Sequence, residues 1–301
     1  SGQTTYWKSK RHAVGYGLGA SFFLGELGGR DQIGSDFIYD LELAETRPAL
    51  QIHYRYQLGS RFYAKAQFAF SYIGGNDALT EEIFRRNRNL SFRSSIFEGS
   101  ILGVFDIIDF TPKRRYDRGL RQRSLEGTSI YITAGVGVTR FNPQANFEGE
   151  WFDLRDFGTE GQLQDDGPEQ YSRFTPIVPF GMGVRFQLNR EWTIGFEVVH
   201  RITFTDYMDD VSTVYYDNDI IEETQGELAA FFADPSLGYY VDENGVQVPL
   251  NSTDTGMQRG DPEDNDAYFF GVINVNYKLE KRRFKRGRGR ITKRRRRRVV
   301  F

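Results

Sequence analysis

The stretch Leu50-Gln-Ile-His-Tyr-Arg-Tyr-Gln-Leu-Gly-Ser-Arg-Phe-Tyr-Ala-Lys-Ala-Gln-Phe-Ala-Phe-Ser-Tyr72 decides the fold. Leu50, Ile52, Tyr54, Tyr56 and Leu58 alternate with Gln51, His53, Arg55 and Gln57. After Gly59-Ser60, Phe62, Ala64, Ala66, Phe68, Phe70 and Tyr72 alternate with Tyr63, Lys65, Gln67, Ala69 and Ser71. A period of two over runs this long is that of half-buried strands, and the Gly-Ser break is a turn between them. Ordinary globular strands run about five or six residues, so these are long.

The same alternation recurs along the chain. Val14 to Phe22, Ile130 to Val138, Val178 to Leu188 and Trp192 to Phe204 each place large apolar residues opposite Gly, Ser, Thr or a charge. Tyr268 to Leu279 keeps Phe269, Ile273, Val275, Tyr277 and Leu279 on one face. Leu90 to Phe105 loses phase around Phe97-Glu98-Gly99, which predicts a β-bulge there. These add up to eight strands.

Their connections alternate in length. Short ones fall at 59–60 and 189–191, with a basic one at about 106–128. Long acidic ones fall at about 25–46, 74–88, 142–173 and 205–265. An up-and-down antiparallel order puts alternate connections at opposite ends. The four long loops therefore share one end, and the turns share the other with both termini.

Which face is polar separates a soluble barrel from a membrane barrel. Here the polar face carries small residues with Arg55, Lys65, Arg185, Glu197 and Arg201, which suits the narrow lumen of eight strands. Glu197 and Arg201 share that face and read as an ion pair within it. The other face is aliphatic and aromatic, which suits lipid. Phe22, Tyr72, Phe141, Trp192, Phe204 and Tyr277 fall near strand ends, as interfacial girdles do. The expected fold is all-β, an eight-stranded antiparallel up-and-down transmembrane barrel. It divides into an N-terminal periplasmic segment at 1–11, the barrel at 12–280 and a basic periplasmic tail at 281–301.

Composition agrees with this class. The chain has 301 residues, 15% aromatics and no cysteine. These values argue against a disordered chain, disulfides and thiol chemistry. No run of about 18 apolar residues offers a membrane helix. Ser1 to Lys8 lacks the apolar core of an export signal, so the chain as given reads as a mature form or one never exported.

The net charge of -2 conceals segregation. Residues 281–301 hold 13 Lys/Arg and no acid, leaving the first 280 residues with 26 bases and 41 acids. Between Asp206 and Asp266 stand 16 acids and one base, Arg259. Lys113, Arg114, Arg115, Arg118, Arg121 and Arg123 form a second basic cluster. A basic tail can bind nucleic acid, but a periplasmic tail is expected instead to be solvated or to dock on an acidic protein. The docking residues would be that cluster with Arg282, Arg283, Arg286, Arg294, Arg295, Arg296 and Phe301.

Catalytic alternatives are thin. His200 with Asp209 and Asp210 offers a carboxylate–histidine set, although His200 shares the outward phase of Val198 and Ile202. Asp261-Pro-Glu-Asp-Asn-Asp266 lacks the spacing of a calcium loop and reads as solvated. No enzyme, metal or cofactor is expected.

Three segments carry a resemblance. They are Gly15-Tyr-Gly-Leu-Gly-Ala-Ser-Phe-Phe-Leu-Gly-Glu-Leu27, then Arg88-Asn-Leu-Ser-Phe-Arg93 followed by Glu98, and Glu197 to Arg201 leading into Thr205-Asp-Tyr-Met-Asp-Asp-Val-Ser212. In these the chain resembles the PorG-type outer-membrane proteins of the Bacteroidota type IX secretion system. The resemblance covers most of the barrel, and the chain is longer than typical members. It implies a non-enzymatic outer-membrane barrel in protein secretion and gliding motility. Such a barrel ties a periplasmic ring of the PorK/PorN type to the membrane. Its partners would be that ring, other secretion subunits, the lipid bilayer and lipopolysaccharide. A general small barrel acting as membrane anchor or small-solute pore is the competing expectation.

Overall fold

The chain is seen in a computed structural model that describes residues 11–25, 27, 46–80, 82–109, 127–189, 191–242 and 244–279. The wall begins with β1 (His12–Leu24), β2 (Arg47–Gln57), β3 (Phe62–Asn76), β4 (Ser91–Asp109) and β5 (Thr128–Arg140). A hairpin follows, β6 (Pro143–Phe147) and β7 (Glu150–Asp153), before the wall resumes with β8 (Phe174–Gln187) and β9 (Trp192–Thr203). A small separate pair, β10 (Tyr239–Val241) and β11 (Gln247–Pro249), precedes the last wall strand, β12 (Ala267–Leu279). The helices α1 (Ile83–Arg88), α2 (Asn218–Gln225) and α3 (Glu227–Ala233) lie in the long connections.

The ring order is β1-β2-β3-β4-β5-β8-β9-β12, every pairing antiparallel. It closes by β12 on β1, from His12↔Leu279 to Leu24↔Ala267. Closure matters because an open sheet edge in hydrocarbon would leave backbone N–H and C=O groups without partners.

Accessibility shows the inverted polarity. Outward Phe68, Ile101 and Met182 are 67%, 67% and 65% exposed, whereas inward Lys65 and Glu197 are 4% and 3% exposed. An apolar wall around a charged interior is stable in a bilayer and unstable in water. The barrel is therefore a transmembrane barrel. The interior stays narrow because small residues give way to large ones: a Cβ on Gly17 would lie 2.4 Å from Asn274 Oδ1 and 2.5 Å from Val272 Cγ1. Trp192 packs on Tyr277, and Phe22 on Phe269, at opposite ends of the wall.

Two expectations are corrected. No bulge interrupts Phe97-Glu98-Gly99, which pairs continuously with both neighbours; the register shift lies between Asp106 and Ile108. The phase blurs in the sequence because the polarity of β4 reverses along its length. Inward Phe92 and Ile96 are buried in an apolar cluster with Ile73, Phe141, Met208 and Phe270, while inward Glu98 and Asp106 are buried polar. The strand thus leaves the membrane and continues as the wall of a water-soluble cap. Phe141 is the second correction. It is fully buried, stacked on Tyr171 at 6.1 Å, and belongs to the cap core rather than the interfacial girdle.

The acidic loops are folded where they are described. Residues 142–173 and 204–266 contribute β6, β7, α2, α3, β10 and β11 to the cap. β6 extends the sheet at the rim through Arg93↔Gln144 and Ser94↔Pro143.

Candidate functional site

Two polar assemblies stand out, one in the lumen and one in the cap. In the lumen, Glu197 on β9 accepts from Lys65 Nζ at 2.8 and 3.1 Å, from Gln51 Nε2 at 2.9 Å and from Tyr131 Oη at 2.9 Å. Nearer the short-turn end, Arg185 Nη2 donates to both carboxylate oxygens of Asp106 at 2.8 Å. The Arg185 guanidinium lies 5.1 Å from the centroid of the Tyr63 ring, and the Arg55 guanidinium lies 5.2 Å from the same centroid. Nearer the cap, Arg201 Nε donates to Glu98 Oε2 at 2.9 Å. The same carboxylate takes Ser100 Oγ at 2.8 Å and Tyr268 Oη at 3.2 Å.

All five luminal residues expected from the sequence, Arg55, Lys65, Arg185, Glu197 and Arg201, are buried inside. Glu197 and Arg201, however, bind different partners. Four residues along a strand span about 13 Å, beyond ion-pair reach; each is instead neutralised across the barrel. The acids Glu98 and Asp106 were missed as luminal counter-ions. Their signal was present: both lie on the polar phase of β4. The pocket among His53, Lys65, Tyr131, Arg185 and Glu197 is about 10 Å³, room for about one water.

In the cap, carboxylates hold the loops together. Glu160 Oε1 accepts from the Ser212 N–H at 2.9 Å and Arg259 Nη1 at 2.9 Å, and its Oε2 accepts from Thr213 Oγ1 at 2.7 Å. Asp210 accepts from Thr159 Oγ1 at 2.6 Å and Tyr171 Oη at 2.5 Å. Asp209 takes the Leu27 N–H at 3.2 Å, and Asp266 the Met208 N–H at 2.8 Å. Arg259 also donates to the Asp210 carbonyl at 2.6 Å. Arg88, bound to Asp77 at 2.7 and 3.1 Å, donates to the Arg259 carbonyl at 2.6 Å. Residues from all four long connections therefore meet in one network.

Burial dominates the electrostatics here. It pushes the Asp210 carboxyl up to about 6, against the pull of Arg259 and the bonds from Thr159 and Tyr171. Arg259 moves the other way: burial disfavours its charge, but Glu160 and Asp210 outweigh that and hold it firmly protonated. Tyr215 is pushed up to about 12 by burial.

The cap network bears on two readings, agreeing with the outward phase of His200 and correcting the solvated reading of Asp261 to Asp266. Asp209 and Asp210 serve the cap, while His200 lies edge-on to Phe180 on the outer wall, so no His–Asp set forms. Asp266 is buried rather than solvated, although Asp261, Glu263 and Asp264 remain exposed. Among the described residues no group of three His, Asp or Glu is placed to hold a metal ion. Lys113, Arg114, Arg115, Arg118, Arg121 and Arg123 lie outside the described residues. So do Arg282, Arg283, Arg286, Arg294, Arg295, Arg296 and Phe301.

No protein-family model matches the chain, and no curated protein matches it. Among solved structures it is similar to neisserial surface protein A, at 7% identity and a TM-score of 0.40 over 89% of this chain and 96% of that one. It is also similar to the attachment invasion locus protein Ail of Yersinia pestis in complex with the heparin analogue sucrose octasulfate. There the identity is 10% and the TM-score 0.38, over 90% and 99% of the two chains. A third is the outer membrane protein OprG of Pseudomonas aeruginosa, at 8% identity and a TM-score of 0.36 over 90% and 98%. Likeness at this level carries nothing about function.

Proposed function

We propose that this chain is a non-enzymatic outer-membrane component of a type IX-like secretion machine, tying a periplasmic ring to the membrane. The observation that carries the reading is the separation of charge by barrel end. The acidic connections gather in the cap. β4, β5 and β12 present at the opposite end the points from which the basic 106–128 connection and 281–301 tail depart. In this reading the cap is at the cell surface, and both termini are periplasmic. A polybasic segment beside the membrane favours an acidic protein surface through electrostatic complementarity. The resemblance in residues 15–27, 88–98 and 197–212 supports the secretion role over that of an anchor of unrelated purpose.

The non-enzymatic part rests on how the interior charges are used. Each buried carboxylate of the lumen is taken up by a base or hydroxyl of the wall, and His200 faces outward beside Phe180. The test is co-purification from cross-linked outer membranes with mass-spectrometric identification of partners. Deleting 281–301 should leave barrel insertion intact and release a periplasmic ring protein. Unchanged recovery of that protein by the truncated chain would sink the docking role.

A further inference from the structure

Inside the barrel the charges do not cancel. The buried ionised side chains of the wall strands are four bases, Arg55, Lys65, Arg185 and Arg201, against three acids, Glu98, Asp106 and Glu197. Each acid is matched to one base: Glu197 to Lys65, Asp106 to Arg185 and Glu98 to Arg201. Arg55 is left over. It is 8% exposed and pairs with no carboxylate among the described residues; its contact is with the Tyr63 ring. Across the β2–β3 ladder it stands directly opposite Lys65, a second base, and like charges so placed repel. A guanidinium does not shed its proton in a protein, and a buried charge without a counter-ion is strongly destabilising. The compensating charge is therefore to be sought outside the chain.

The luminal pocket beside Arg55 suits one small ion. Arg55, Lys65, Arg185 and Glu197 are among its lining, and its volume of about 10 Å³ is that of a single water-sized sphere. Arg185, 7% exposed, directs Nη2 to Asp106, whereas its Nη1 is buried with no partner. Buried donors are nearly always paired. A water would satisfy Nη1 but leave the Arg55 charge, whereas a monovalent anion the size of a water answers both. We infer that this pocket binds a halide, in practice chloride, between Arg55 and Arg185 Nη1. Guanidinium donors make their stronger hydrogen bonds to ionised acceptors, and the volume excludes polyatomic oxyanions. Arg55 lies two residues from the end of β2 at the short-turn end, so the ion enters from that mouth of the lumen. This inference is independent of the secretion role, since it concerns how the barrel is filled.

Arg55→Gln is the decisive variant, because it removes the unmatched charge and leaves the three ion pairs in place. The experiment is thermal unfolding of the full chain in a non-ionic detergent, with sodium chloride, bromide or gluconate at equal ionic strength. Chloride and bromide should raise the midpoint by roughly 3 °C between about 20 and about 500 mM. Gluconate, too large for the pocket, should not. Arg55→Gln should lose the halide response and, in gluconate, unfold no lower than the parent. Crystals of the parent grown in bromide should show an anomalous peak within hydrogen-bond reach of Arg55 and Arg185 Nη1. Three results would each overturn the inference: equal midpoints in chloride and gluconate, an undiminished halide response in Arg55→Gln, or bromide crystals with no peak in the pocket.

Discussion

Replacing Arg201 by Met should destabilise the barrel by about 3 kcal/mol, and the sum can be built from its surroundings. The Arg201 side chain is 1% exposed, and its partner Glu98 is 0% exposed. Removing one member of a buried pair leaves an uncompensated charge, typically at a cost of about 3–5 kcal/mol. Glu98 would keep Ser100 Oγ, Tyr268 Oη and a 3.3 Å bond from Gln67 Nε2, which holds the loss to the low end. Methionine also retains most of the packing on Phe270, whose ring lies 4.0 Å from the guanidinium. Glu98→Gln should cost a similar amount, because the Arg201 charge would stay buried with only neutral acceptors, among them the Val199 carbonyl at 2.5 Å. The double variant buries no charge and should cost no more than about 1.5 kcal/mol, giving a coupling of at least about 4.5 kcal/mol. Urea unfolding of the refolded chain in lipid, followed by tryptophan fluorescence, reads all four corners of the cycle. Additivity of the two single changes within about 0.5 kcal/mol would refute the reasoning, since independent sites behave that way.

Three further outcomes follow from the same geometry. Asp210 titrates at about 6 when folded, against about 3.9 when unfolded. Protonation therefore favours the folded cap, which should lose on the order of 2–3 kcal/mol as pH rises from about 4 to 6. Hydrogen exchange in 205–216 measures this, and Asp210→Asn should flatten the slope. Gly17→Val should lower refolding yield sharply, whereas Gly271→Ala, with nothing within 4 Å of the added carbon, should match the parent. Planar-bilayer recordings should show no steady single-channel current, because the pocket around Glu197 midway along the lumen is only about 10 Å³; a stable conductance would mean that the charged interior opens.

The wall was legible because its signal is local: period two, long runs and a polar face built from small residues and opposed charges. The cap was not. Its carboxylates are satisfied largely by backbone N–H groups, such as Ser212 on Glu160 and Met208 on Asp266, and a sequence shows no backbone donors. Counting charge therefore leaves the order of those loops open and reads Asp261 to Asp266 as solvated. A partial signal existed in Arg259, since a lone base among many acids is a natural buried counter-ion. Another lay in β4, where apolar Phe92 and Ile96 share the phase of Glu98 and Asp106. That switch marks the point where the wall leaves lipid, and in the sequence alone it has the same look as a bulge. The Glu197–Arg201 spacing misled for a geometric reason, because i and i+4 adjoin on a helix and not on a strand.

The central claim is a barrel whose apolar wall faces lipid and whose charged interior faces itself. Because the chain has no cysteine, single cysteines can carry spin labels without background. Oxygen-accessibility measurements in bilayers should give high values at Phe68, Ile101, Val136 and Met182, and low values at Ser71, Ser100 and Thr133. A reversed pattern, or none, would contradict the claim.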